Sequence, residues 1–290
     1  MRVLLLGKNG QLGQTISKFI NNSDIEIICF SRKHLDISDF ENTRMEILRK
    51  NPDIVINATA YTNVDKAETD QYLANHINNL AVKNISKICA DNDSWLIHIS
   101  TDYVFDGEST KPYRENDVAN PINIYGKTKY DGEISISKSF CKYIIIRTSW
   151  LFGENGTNFL KTMMQLSKSK KVLSVIGDQI GTPTYTGDLA NTIMTIIESI
   201  KYKSISSALY HYAGNVQCSW YEFANMIFDE ANKLNIQTPE TIHAISSKEY
   251  NSVACRPKLS SLDSDLICNA FDLNPSDCKS GIRKSLENLL

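Results

Sequence analysis

The chain has 290 residues, 42% of them hydrophobic and 22% charged, with a formal net charge of −2. That is enough to bury a sizeable core in one large domain or two modest ones, and the balanced charge offers no global basic field for nucleic acid as the main partner. No stretch approaches the roughly 18 apolar residues of a membrane span, the N-terminal apolar run is too short for a secretory signal, and seven scattered cysteines without a Cys-x-x-Cys pair point to reduced thiols in the cytoplasm.

Arg2–Leu6 is a short apolar run that ends in Gly7-Lys8-Asn9-Gly10-Gln11-Leu12-Gly13, after which Leu12, Ile16, Phe19 and Ile20 recur at helical spacing. Glycines between a buried strand and a helix permit a tight turn and the close approach of a pyrophosphate. The helix N-terminus adds free N–H groups and a partial positive charge. The G-x-x-G-x-x-G spacing therefore reads as a nucleotide-binding turn, with an ordinary glycine-rich strand-to-helix turn as the plainer alternative. Residues 26–31 form the next strand. In dinucleotide folds an acidic residue about 20 residues beyond the loop favours NAD. Here Ser31-Arg32 stand there, a hydroxyl and a guanidinium suited to a 2′-phosphate, with Asp36 close behind. The expected cofactor is NADPH, with NADH possible.

Residues 40–49 read as a helix and 54–60 as a third strand, ending in Ala58-Thr59-Ala60-Tyr61-Thr62. Small residues at a strand's carboxyl end leave room for a flat ligand such as nicotinamide ribose. A long helix follows, with Ala74, Ile77, Ala81, Ile85 and Ile88 on one face, and then a fourth apolar strand over 95–100, ending at Ser100-Thr101-Asp102. Continuous apolar strands alternating with helices imply an α/β fold with a parallel sheet covered on both faces. Ligands bind such sheets at the carboxyl ends of the strands, where residues 7–13, 60–62 and 100–102 all fall.

Of the 13 tyrosines, only Tyr125 has a lysine four positions later, Lys129. On a helix started near Pro121 the two share one face. A cation beside a phenol favours its ionised form and brings tyrosine nearer to use as a general acid; a solvated surface pair meets the same spacing. Residues 143–148 form a fifth strand, followed by Trp150, which either packs in the core or lines a substrate pocket. Beyond Gly153 the alternation loosens: a helix near 158–167, the strand Val172–Ile176, a polar loop over 178–185, a helix over 188–200, and a return to the sheet over 209–213. Ser219 and Glu222 make a capping box ahead of an amphipathic helix. Arg256-Pro257-Lys258 is either a solvated basic loop or a clamp on nucleotide phosphates.

Seven blocks in order resemble one family: residues 7–13 (GKNGQLG), 57–68 (NATAYTNVDKAE), 100–105 (STDYVF), 121–129 (PINIYGKTK), 147–150 (RTSW), 178–185 (DQIGTPTY) and 256–258 (RPK). The chain resembles the dTDP-4-dehydrorhamnose reductases, a branch of the extended short-chain dehydrogenase/reductases. The resemblance implies a Rossmann-like doubly wound parallel sheet in residues 1–152, taking in segments around 186–214. It also implies a smaller, partly interleaved substrate domain within 153–290. The implied reaction is hydride transfer from NADPH to C4 of dTDP-4-dehydro-L-rhamnose, in dTDP-rhamnose and polysaccharide biosynthesis. Tyr125 would protonate the developing alkoxide, Lys129 would hold the nicotinamide ribose and lower the tyrosine's pKa, and Thr101 would hydrogen-bond the carbonyl oxygen.

By the same resemblance Gly10, Gln11 and Leu12, within the loop from Gly7 to Gly13, would meet the pyrophosphate. Ser31, Asp36, Ile37, Ala60 and Thr62 would complete the cofactor groove, to which the reading of the residues themselves adds Arg32 and Tyr61. Asp102 and Trp150 would touch the sugar, and Arg256 with the 178–185 loop would face the nucleotide. Where some members carry a metal-binding glutamate just after the glycine loop, this chain has Gln14 and Thr15, so no such metal is expected, and a monomer or weak homodimer is. Two other readings remain open: a non-catalytic NADP-binding subunit of the same fold, and a reductase or epimerase for another 4-keto-6-deoxy nucleotide sugar.

Overall fold

Six strands build the central sheet: β1 Arg2–Leu6, β2 Glu26–Phe30, β3 Ile54–Asn57, β4 Trp95–Thr101, β5 Lys142–Thr148 and β6 Ala208–His211. Their spatial order is β6-β5-β4-β3-β1-β2 and every pairing is parallel. The computed structural model describes residues 1–19 and 25–289, so Ile20 of the first helical spacing lies outside the described residues.

The apolar runs explain the sheet. Val3, Leu5, Ile54, Ile56, Ile97, Ile144 and Ile146 pack on one face against Leu189, Ile193 and Ile196 of the Thr186–Tyr202 helix and against Ile267 and Phe271. Leu4, Leu6, Val55, Leu96 and Ile145 face the other way, onto Ile47, Ile85, Ile88 and Ile136. A strand buried on both sides cannot alternate apolar with polar residues, which is why these segments read as continuous apolar runs.

Chain order reverses at β1, with β2 on one side and β3 on the other. Such a switch point leaves a crevice beyond the strands' carboxyl ends, and the glycine loop after β1 and residues 58–62 after β3 flank it. Gly7 sits at φ +92°, in the left-handed region open to glycine, and a Cβ on Gly13 would lie 2.1 Å from the Gly7 carbonyl oxygen. Gly13 thus lets the Gln11–Ile16 helix close down on the loop. Gly13→Ala is expected to cost about 1–3 kcal/mol or more through overpacking, with weaker NADPH binding; urea unfolding and a cofactor titration check both.

Three expectations shift. β3 ends at Asn57 and not at residue 60, because the Asn57 carboxamide oxygen accepts from the Thr59 N–H and hydroxyl, a turn that leads the chain out of the ladder. The long helix is two, Gln71–Asn75 and Ala81–Asp91, joined through a π-helical turn, His76–Leu80. The 178–185 loop holds two short strands: Ile180–Gly181 pairs with Cys218–Ser219 and Thr184–Tyr185 with Leu151–Phe152. Buried backbone at Gly181, Thr184 and Tyr185 needs such partners.

A second core gathers Phe152, Leu160, Leu173, Val175, Phe223, Ile227 and Ile282. The Ser219–Glu222 capping box starts its main helix, Trp220–Lys233. All seven cysteines are free thiols, and among the described residues no helix is long and apolar enough to cross a membrane.

Candidate active site

A cleft of about 720 Å³ opens at the carboxyl ends of β4 and β5, where Thr101, Tyr125, Lys129, Trp150 and Trp220 meet the glycine loop. It adjoins a cavity of about 210 Å³ lined by Gly7, Arg32, Asp36 and Ile37. Asn9, Gly10 and residues 58–60 line both, so the two form one continuous groove.

The Ile124–Ser137 helix carries the tyrosine and the lysine. Asn123 caps it, accepting from the Gly126 N–H at 2.8 Å, and its Nδ2 donates to the Cys255 carbonyl at 2.8 Å. The Ile124 N–H donates to Glu68 Oε1 at 2.9 Å. Tyr125, Lys129 and Glu133 follow at intervals of four and turn one face to the sheet. Deepest lies Glu133, paired with Arg147 (Nη2–Oε2 2.7 Å, Nε–Oε1 2.9 Å), both side chains 4% exposed. The Ser100 hydroxyl also donates to Glu133, and the Arg147 guanidinium lies over the Phe105 ring at 5.1 Å. This buried cluster ties the ends of β4 and β5 together beside Thr101.

Lys129 is buried. Its Nζ donates to the Ile99 carbonyl at 2.6 Å and lies 3.3 Å from His98 Nε2. Burial pulls the lysine down to about 8, against the Glu133 charge, which raises it. Burial, with the lysine beside it, holds His98 far below its usual range, so its imidazole is neutral. Burial pushes Tyr125 up to about 12; the Thr101 hydroxyl, within hydrogen-bonding reach, pulls it down only in part. Lys129 is not among the groups that shift the phenol here. The ammonium is turned to the Ile99 carbonyl, and desolvation of the phenol dominates.

Thr101 accepts the Tyr103 N–H at 3.2 Å, and its Oγ1 lies 3.1 Å from Asp102 Oδ1. Asp102 is 2% exposed, its Oδ2 has no hydrogen-bond partner among the described residues, and burial raises the carboxyl to about 7. Trp150, at φ +47°, holds a conformation unusual for a bulky side chain. Its ring stacks on Trp220, centroids 3.4 Å apart and 4° from parallel, while it lines the cleft. The ring is thus half-buried against the second core and lines the cleft as well.

The other expected residues divide. Gly10, Gln11, Leu12, Ala60 and Thr62 line the cleft. Arg32 and Asp36 pair at 2.9 Å at the groove's far end, next to Ile37. Ser31 is buried with its hydroxyl 2.8 Å from His34 Nδ1. The Tyr61 phenol donates to Asp70 at 3.3 Å, while the Asn78 carboxamide brackets the Tyr61 backbone (N–H to Oδ1 2.8 Å, Nδ2 to carbonyl 3.1 Å). Arg256 pairs with Asp65 at 2.8 Å, with its Nε buried and unpartnered.

Sequence reasoning missed Asn78, His98, Asn57 and Trp220. Asn78 also donates to Thr128 at 3.1 Å, joining the residues after β3 to the tyrosine's helix, and Asn57 Nδ2 lies 3.2 Å from His98 Nδ1. No local signal marks residues whose partners are so distant in the chain. Glu133 had one, as the next step of four after Lys129.

The family model described as the RmlD substrate binding domain matches residues 1–290. A dTDP-4-dehydrorhamnose reductase from Aggregatibacter actinomycetemcomitans is 38% identical over 285 residues, 97% of each chain. One from Salmonella typhimurium is 36% identical over all of this chain and 98% of its own. The chain belongs to this reductase family. A dTDP-4-dehydrorhamnose reductase from Bacillus anthracis, solved in complex with NADP, superposes with a TM-score of 0.91 at 36% identity, covering 99% of this chain and 98% of that one.

The groove of this dTDP-4-dehydrorhamnose reductase family member fits a dinucleotide on its own geometry. Among the described residues no side chain caps the Gln11–Ile16 helix, and the N–H groups of its first turn have no partner within the helix. The Gln11 side chain is instead held by Leu151 and Asn158. Small residues floor the centre of the groove and a guanidinium stands at its far end. Among the described residues, no group of three or more His, Cys, Asp or Glu could hold a metal ion.

Proposed function

We propose that the protein reduces dTDP-4-dehydro-L-rhamnose to dTDP-L-rhamnose, with Tyr125 as proton donor. The observation that carries this is the meeting of the Thr101 and Tyr125 hydroxyls at the mouth of a groove that begins on the glycine loop. A bound NADPH supplies the hydride that reduces C4. Tyr125 gives its phenolic proton to O4 as charge develops there, and Thr101 donates a hydrogen bond to the same oxygen. Lys129 lies beneath, positioned to reach the nicotinamide ribose. The N–H groups of Gln11 and Leu12, with Gly10, receive the pyrophosphate. Ala60, Thr62 and the Tyr61 backbone line the ribose segment, and Ile37 the adenosine end. Arg32 and Asp36 face the adenosine ribose, and Ser31 acts from beneath by shaping that end of the groove. Asp102 and Trp150 contact the sugar, and Arg256, held by Asp65, faces the nucleotide.

On this reading residues 1–152 with 186–214 form the cofactor-binding half and the rest of 153–290 the substrate half. The protein works in the cytoplasm as a monomer or weak homodimer, without a metal. Turnover of the 4-keto nucleotide sugar with NADPH and then NADH, with the product identified by mass and NMR, tests the proposal. No loss of nicotinamide absorbance, or a retained cofactor with net epimerisation, overturns it. Arg32→Ala is expected to raise KM for NADPH by about tenfold, the scale of one charge-assisted hydrogen bond, with little change for NADH; equal changes for both would remove Arg32 from the 2′-phosphate.

A further inference from the structure

Thr101 Oγ1 has one hydrogen to give and two lone pairs to fill. The Tyr103 N–H takes one lone pair, Asp102 Oδ1 lies 3.1 Å away, and the Tyr125 phenol is within reach. If Asp102 is a carboxylate it has no hydrogen, so Thr101 must donate to it. The lone pair left on Oγ1 then attracts the Tyr125 O–H, and both hydrogens that a substrate oxygen requires are spent inside the protein. If Asp102 is the neutral acid, its own O–H fills the second lone pair. The Thr101 and Tyr125 hydrogens are then both free to point into the cleft.

The surroundings favour the neutral acid. Asp102 lines the cleft wall at 2% exposure with Oδ2 unpartnered, and burying a carboxylate without a cation is costly. The cations on neighbouring elements are engaged elsewhere: Arg256 with Asp65, Arg147 with Glu133, and Lys129 at the Ile99 carbonyl. What faces the carboxyl is the Ser260 hydroxyl, Thr101 and nearby backbone N–H groups; the Tyr103 and Tyr125 phenols stand close by. Burial outweighs the pull of those groups and brings the carboxyl to about 7.

We infer that Asp102 is a positioning residue that works as a neutral acid, turning the Thr101 hydroxyl toward the substrate oxygen, and that its ionisation switches the site off. Asp102 keeps its proton through turnover, so nothing is transferred from it. The inference rests on the reductase reading.

The test is kcat/KM against pH for the wild type and Asp102→Asn, whose carboxamide donates in the same place and does not ionise. The wild type is expected to lose about tenfold per pH unit above about 7. The ratio of variant to wild type should rise about tenfold between pH 7 and pH 8.5. Loss of the Lys129 proton acts on both proteins and cancels in that ratio. Parallel profiles overturn the inference, and so does a flat wild-type profile from pH 6 to 8, which decides the matter alone if the variant does not fold. Urea unfolding of both proteins without cofactor separates this failure from that of the reductase reading. A folded-state carboxyl raised by burial contributes stability below the unfolded pKa that is lost as pH rises to about 7. Asp102→Asn should therefore gain on the wild type between pH 5 and pH 8. That gain without any turnover would overturn the reductase reading and leave the neutral acid standing; no gain overturns the neutral acid.

Discussion

Tyr125→Phe is expected to lower kcat by about 100-fold or more while NADPH affinity stays within about twofold. The substitution removes one O–H and leaves the ring, whose edge-on contact with Tyr103 at 5.6 Å remains. The Asn123 cap and the Lys129 contact with Ile99 are made by other atoms, so the helix should not move. Burial pushes the phenol up to about 12, so it carries its proton throughout the neutral range and needs no neighbour to keep it there. The pH dependence of turnover should accordingly come from groups that titrate lower, Asp102 and Lys129. Steady-state kinetics with a cofactor titration and a urea midpoint decide the point. Unchanged turnover would remove Tyr125 from the chemistry, and a lowered midpoint would turn the loss into one of folding.

Glu133→Ala should be the most damaging single change to stability near the site, at about 3–5 kcal/mol. It leaves the Arg147 guanidinium buried without its paired carboxylate and takes the acceptor from the Ser100 hydroxyl. The comparison that isolates the cause is the double substitution of Glu133→Ala with Arg147→Met. Removing both charges should recover most of the loss, since the penalty comes from an orphaned charge more than from a lost attraction. Urea midpoints of the single and double variants measure this, and equal losses in both would show that shape, and not charge, holds the cluster. Because Ser100 precedes Thr101, the single variant should also lose activity under conditions where it is still folded.

Much of the frame was legible. β1, β4 and β5 fell within one residue of their sequence bounds because a strand buried on both faces is a continuous apolar run. The glycine loop was readable because strand, glycines and helix lie within one short segment. Boundaries failed where a side chain competes with the ladder, as Asn57 does at the end of β3. The helix around Asn78 was read as continuous because a π-helical turn keeps the apolar face while changing the hydrogen bonds.

By itself the sequence determined the alternating α/β order, the loop that can receive a pyrophosphate, and a helix that sets Tyr125 and Lys129 on one face. These follow from periodicity, which is local. Only the tertiary structure decided what each of those groups meets. Lys129 meets the Ile99 carbonyl and not the phenol, Trp150 stacks on a tryptophan 70 positions away, and Asp102 lies with an unpartnered oxygen beside Thr101. Hydrogen-bond partners and desolvation depend on distances between segments brought together by folding, and those distances have no period along the chain.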